Sequence, residues 1–154
     1  PHFDRIGLDL GYTYDRGAVV PDGTPPVKRE HAVTDYVPST RPGARFPHFW
    51  LDGRRAARSS HALFDYRAST LVYGAGISPD RALGDVAASL GVRLASLGDA
   101  DIPLACRGAT HTYSQIEPDG ALLVRPDGHV AWRQQRGVAL TEELLRSIVR
   151  EVYG

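Results

Sequence analysis

The chain has 154 residues, 42% hydrophobic and 23% charged, with 18 basic residues balanced by 18 acidic ones. That is enough chain for one domain with a core, and zero net charge argues against a surface built for nucleic acid or another polyanion. No apolar run approaches a membrane span, the N-terminus lacks a signal-peptide pattern, and the single cysteine, Cys106, implies no disulfide, so a cytoplasmic location is expected.

Lys28 is the only lysine, a bias consistent with a GC-rich genome, and there is no methionine. A start at PHFDRIG without Met favours a piece of a longer protein. Residues 1–58 read as an irregular, Pro-rich N-terminal arm, because seven of the eleven prolines fall in the first fifty residues and proline removes the amide donor that regular elements need. Ile6, Leu8, Leu10, Tyr12 and Tyr14 alternate strictly within it, which predicts a strand. Phe46, Phe49 and Trp50 are expected to pack on the domain that follows, residues 59–154.

In that domain SSHALF, residues 59–64, reads as a short strand and ASTLVYG, ending at Gly74, as a buried one. Ser78, Pro79 and Asp80 open a helix, with Ser78 as the cap; Leu83, Val86, Ala87 and Leu90 share its buried face, and Gly91 stops it. Residues 92–97, VRLASL, form the next strand, so strand-helix-strand with short joints predicts a parallel pair. Residues 98–118 carry no regular pattern. In ALLVRPDGHVAWR, residues 121–133, two apolar runs flank Pro126 and Gly128, the chemistry of a type I turn closed by a bulge. Val130 and Trp132 alternate there with Ala131 and Arg133. Thr141 caps a final helix that buries Leu144, Leu145, Ile148, Val149 and Val152, with Glu142 and Arg146 paired on its wet side. The order β-α-β then β-β-α is α/β and thioredoxin-like.

A redox member of that fold needs Cys-x-x-Cys where this chain reads GAGISPD, and Cys106 is a lone thiol, which more often packs than reacts. Gly74 and Gly76 stand where a dinucleotide fingerprint starts, but Pro79 occupies its third glycine position; Asp99 is the acidic residue at roughly ribose distance. A tight turn accounts for both glycines. His2, His31, His48, His61, His111 and His129 share no ligand spacing, and Ser60 beside His61 would point to opposite faces of a strand. His129 reads as an exposed hairpin residue and Trp132 as core. No catalytic, cofactor-binding or metal residue is assigned.

Three segments nevertheless carry a resemblance. LLVRPDGHVAWR (122–133), RPGARFPHFWL (41–51), with its Pro-Gly-x-Arg-x-Pro-His pattern, and FDRIGLDLGYTY followed by AVVPDGT (3–24) together resemble the C-terminal region of FAD-dependent aromatic-ring hydroxylases of the phenol and chlorophenol hydroxylase type. The resemblance implies a thioredoxin-like region without redox cysteines. It also implies a parent monooxygenase that uses FAD and NAD(P)H to place one oxygen atom of O2 on a phenolic or polycyclic aromatic substrate. The flavin-holding motifs belong to the preceding portion, so no flavin or catalytic residue carries over to this chain. The implied role is non-catalytic: structural support, subunit contact or shielding. The apolar stripe and open strand edge expected from Ile6 to Tyr14 should face the missing flavin portion or a second subunit, so the fragment is expected to self-associate. Two other readings stay open: a stand-alone interaction module, and an independent redox or nucleotide-binding enzyme. A coding sequence upstream of residue 1 would separate them.

Overall fold

The computed structural model describes residues 4–51, 59–98 and 112–154. Its centre is a mixed four-stranded sheet. Strand β1 (Ser69–Tyr73) leads through helix α2 (Arg81–Ser89) to β2 (Val92–Ser96), and β3 (Ala121–Val124) turns into β4 (Val130–Gln134) before helix α3 (Glu142–Tyr153). The spatial order is β2-β1-β3-β4, with β1 parallel to β2 and antiparallel to β3, and β3 antiparallel to β4. The short connection through α2 is what makes the first pair parallel.

Period-two alternation gives the sheet two apolar faces. Leu71, Leu123, Trp132 and Ala121 meet Leu83 and Ala87 of α2 and Leu145, Ile148 and Val152 of α3. Val72, Leu122, Val124 and Val130 meet Phe46, Phe49 and Leu51 from the N-terminal segment, with Leu63 and Phe64. The expectation that Phe46 and Phe49 pack inward is met; Trp50 is half-buried.

Several local details differ from the sequence reading. Helix α2 is capped by Asp80, whose carboxylate accepts from the Leu83 amide at 2.8 Å, and not by Ser78; the shorter helix lets a charged acceptor sit at the positive end of the dipole. Gly91, at φ 67°, follows its C-terminus as expected. SSHALF is not a strand: Ser60–Leu63 is a 3-10 turn, capped by Ser59.

The largest departure is at the start. Ile6–Asp9 is a single helical turn, α1, and only Thr13 of the alternating stretch makes a strand-like bridge, to Ala44. Gly7 explains this. It is buried, its amide donates to the Val33 carbonyl, and a Cβ there would lie 2.6 Å from the Ala32 carbonyl oxygen. The chain therefore coils tightly against residues 32–35 instead of extending. Ile6, Leu8, Tyr12 and Tyr14 are left at the surface.

Thr141 caps α3 as expected, accepting from the Leu144 amide. Among the described residues no helix is long and apolar enough to cross a membrane.

Candidate functional site

The β3–β4 hairpin carries two of the buried polar side chains, His129 and Arg133, and decides the geometry around them. The Gly128 amide donates to the Arg125 carbonyl at 2.9 Å, the Arg125 amide donates to His129, and Gly128 sits at φ 83°. This is the turn the Pro-Asp-Gly sequence predicts. The bulge it entails shifts the register between Leu123 and Val124, so that Val124 faces Val130 while Leu123 faces Trp132. One extra residue reverses the pleat. Ala131 and Trp132 thus both join the helix-side core, and the sequence alternation of Val130 with Trp132 does not survive. Arg133, opposite Leu122, is turned toward the N-terminal segment.

There the Arg133 guanidinium is nearly fully buried and engages all three of its nitrogens. Nε donates to Asp22 Oδ2 at 2.8 Å, Nη2 to Asp22 and to Thr24 Oγ1 at 2.6 Å, and Nη1 to Thr40 Oγ1 and Gln115 Oε1 at 3.2 Å. Thr40 in turn donates its hydroxyl to the Ser114 carbonyl, and its amide to Gln115. Gln115, at φ 55° in the left-handed region, accepts at its side-chain Oε1 from the Thr40 amide and from Arg133 Nη1. Burial pushes the Asp22 carboxyl up, but hydrogen bonds from Thr24 and Arg133 outweigh it and hold the group below the usual carboxylate range.

At the turn end of the same hairpin, His129 is 1% exposed, not an exposed turn residue. Tyr12 and Tyr14 lie over it, with ring centroids 5.2 and 4.8 Å away. The Arg125 guanidinium covers the Tyr14 ring at 5.0 Å and pairs with Asp127. His129 Nδ1 is 3.5 Å from Asp127 Oδ1, and among the described residues neither ring nitrogen has a hydrogen-bond partner. Burial holds the imidazole below its ordinary pKa, against the pull of Asp127 and with help from Arg125 and Arg45.

Gly43 joins the two ends. At φ 92° it takes the Tyr14 carbonyl so close that a Cβ would sit 1.9 Å from that oxygen. Its carbonyl accepts from the Tyr14 amide, and its own amide and the Ala44 carbonyl bond to Val130. Residues 12–24, 39–46 and 125–133, far apart in sequence, thus interlock in one place. They coincide with the three segments singled out in the sequence. Three ion pairs close within the interlock, Arg41 with Asp15, Arg125 with Asp127 and Arg133 with Asp22, which is the arrangement of a structural joint.

The other candidates are placed elsewhere. Gly74 and Gly76 donate their amides to Gly120 and to the Pro118 carbonyl, and a Cβ on Gly74 would lie 2.4 Å from the carbonyl oxygens of Glu117 and Pro118. Close backbone approach requires these glycines, and their amides are not free to cradle a diphosphate; the turn does not fit FAD or a nicotinamide cofactor. Ser60 is buried, donating to Pro47 and accepting from the Phe49 amide, while His61 Nδ1 meets the Tyr66 hydroxyl at 2.9 Å; the two do not pair. His48 and Trp50 meet edge to face near His61, and His31 is exposed. Among the described residues no three His, Cys, Asp or Glu side chains come together as metal ligands. His2, Asp99, Cys106 and His111 lie outside the described residues.

Comparison with known proteins adds the following. The family model described as aromatic-ring hydroxylase, C-terminal, matches residues 39–154. Phenol 2-monooxygenase of Pseudomonas sp. (strain EST1001) is 32% identical over 151 residues, covering 96% of this chain and 25% of that protein. For 2,4-dichlorophenol 6-monooxygenase of Delftia acidovorans the identity is 33% over 154 residues, covering 97% and 26%. Among solved structures, the flavin-dependent monooxygenase PieE in complex with FAD and substrate superposes with a TM-score of 0.75 at 34% identity, over 96% of this chain and 27% of its own. Aklavinone-11 hydroxylase in complex with FAD and aklavinone gives 0.74 at 32% identity, over the same shares. The chain spans about a quarter of the length of these relatives.

Proposed function

Since the chain belongs to the aromatic-ring hydroxylase C-terminal family, we propose that it is the C-terminal portion of an FAD- and NAD(P)H-dependent monooxygenase acting on a phenolic or polycyclic aromatic substrate. Its own role is non-catalytic: it supports the flavin-bearing portion or contacts another subunit. The similarity to a phenol and a dichlorophenol monooxygenase supports the substrate class. The flavin belongs with the portion outside this chain, because the one glycine turn that invites comparison with a nucleotide site has its amides engaged. A cytoplasmic location goes with this reading.

The fold belongs to the same proposal. A β-α-β unit followed by β-β-α, with strand order β2-β1-β3-β4, supports a thioredoxin-like domain over residues 59–154. Residues 1–58 form the Pro-rich arm that joins it to the parent.

The observation that carries the role is the distribution of exposed apolar side chains. Among the described residues, seven of the ten large ones, Ile6, Leu8, Tyr12, Tyr14, Val27, Val33 and Val37, lie between residues 6 and 37. Surface of that kind marks an interface. Its partner is the flavin-bearing portion, and without it the chain self-associates. Light scattering of the chain and of a version lacking residues 1–14 tests this: the truncation is expected to be more monomeric and still folded. A clean monomer at full length, or an unfolded truncation, overturns the interface. Titration with FAD is expected to give no saturable quenching of flavin fluorescence; stoichiometric binding would sink the non-catalytic assignment. The chain is also expected to leave insulin disulfides intact with or without Cys106→Ser.

A further inference from the structure

Arg45 is the fourth residue of the Pro-Gly-x-Arg-x-Pro-His pattern and is half-buried, yet it makes no hydrogen bond or ion pair among the described residues. Its neighbours in the interlock contrast with it. Arg41 pairs with Asp15, Arg125 with Asp127 and Arg133 with Asp22. Arg29 donates to the carbonyls of Gly7 and Ala32 but meets no carboxylate among the described residues.

Arg29 and Arg45 line one cleft, together with Leu10, Tyr12, Val27, Tyr36 and Val37, and among the described residues no acidic one lines it. The Arg45 charge is felt on both phenols. Burial raises the Tyr36 hydroxyl above its usual range, and the hydrogen bond to Tyr14 followed by burial does so for Tyr12; Arg45 opposes each rise. The backbone of Arg45 is bridged to His129, so the guanidinium is presented from the fixed hairpin.

We propose that this cleft receives an acidic side chain, flanked by apolar residues, from the flavin-bearing portion of the parent enzyme. The inference rests on the reading given above and adds the chemistry of the contact. Charge complementarity selects a carboxylate: two arginines line the space, one of them held only by backbone carbonyls, and among the described residues none of the lining is acidic. Size selects a side chain and not a substrate. The cleft holds about 80 Å³, roughly the share of two or three waters and well short of the roughly 300 Å³ at which small-molecule pockets begin. Tyr12, Val27 and Val37 at its rim are exposed, so apolar neighbours of the acid gain burial. The adjoining cleft, about 290 Å³ and bordered by Asp15, Asp22 and Arg41, has its charges already matched and offers no such preference.

The test uses Arg45→Gln, Arg45→Glu and Arg45→Lys, made both in the 154-residue chain and in the longer polypeptide encoded by its gene. In the short chain Arg45→Gln is expected to leave Tm unchanged, because none of the described residues pairs with Arg45. In the longer polypeptide, proteolytic cleavage just ahead of residue 4 should quicken roughly tenfold for Arg45→Glu, the size of effect a broken interfacial charge pair gives. Arg45→Lys should fall between wild type and Arg45→Gln, and reversing the charge of the docking acid should restore Arg45→Glu. Equal destabilisation of the short chain, or wild-type cleavage of the longer Arg45→Glu polypeptide, overturns the cleft. A change confined to self-association of the short chain would assign the cleft to a second copy and also overturn it. A reading frame that begins at residue 1 would fail the parent-enzyme reading itself, a separate outcome.

Discussion

Leu71 and Leu123 are held by apolar contact on every side, between the sheet and helices α2 and α3. Residues 12–49 reach the same sheet by different means. Phe46 and Phe49 are inserted, but Tyr14, Asp22, Thr24 and Thr40 are fixed by a guanidinium, a stacked cation and one crowded glycine. The first attachment is non-directional and cooperative. The second is directional, and its groups become costly when one partner is withdrawn. The contrast predicts that one part of the chain unfolds only with the whole and that the other can be released alone.

Mutation can separate the two. Leu123→Ala should lower stability most, by about 4 kcal/mol, through lost burial and the cavity left behind, and denaturant melts read by Trp fluorescence and by circular dichroism should shift together. Arg133→Ala leaves the Asp22 carboxylate, 16% exposed, without its cation, at a cost of about 3 kcal/mol. Here the contrast predicts a local effect: limited proteolysis should cut within residues 15–38 while hydrogen exchange in β1 and β3 stays slow. Loss of protection in β1 would show that the two regions are one cooperative unit.

Gly128→Val forces a β-branched residue to φ 83° and should cost about 1–2 kcal/mol. No atom lies within 4 Å of its Cβ, so crowding adds nothing and an unchanged denaturation midpoint would deny that the turn conformation matters.

The smallest effect is in pH. Because burial depresses the folded-state pKa of His129, the unfolded chain binds the proton more readily. The contribution is whole above about pH 6.5 and drains as the pH falls below it. Asp22, also depressed, adds a loss only as the pH drops through its folded value, below about 3.9. His129→Leu should be nearly neutral at pH 7.5, since both unpartnered nitrogens are removed together, and should erase the first of these losses. Proteolysis of the N-terminal segment at pH 5.5 and pH 7.5 measures it.

The elements built on apolar periodicity, β1, α2, β2, β3 and α3, were legible in the sequence because local pattern and final packing agree. The failures share a cause. Ile6 to Tyr14 alternates, but Gly7 coils the chain against residues 32–35, a contact the alternation does not encode. His129 follows a turn and reads as exposed, yet Tyr12 and Tyr14 come from over a hundred residues away to cover it. Trp132 was correctly core, but on the face that only the bulge selects. Arg133 could have been flagged as a charge in an apolar strand and Asp22 as an Asx turn with Thr24; their pairing is tertiary. The interlock was visible only as three family-like segments, with nothing in the sequence to say that they touch.

The bonds from residues 20, 43 and 44 to Val130 and Ala131 have a practical meaning for building hybrid enzymes. β4 is the last strand of its sheet, and those bonds occupy backbone groups that would otherwise recruit a neighbouring chain. A crossover drawn at residue 59, where the composition changes, would ship the sheet with that margin bare and leave its cover on the donor. A crossover ahead of Asp4 transfers both together, and hybrids made that way should stay dispersed where the others clump.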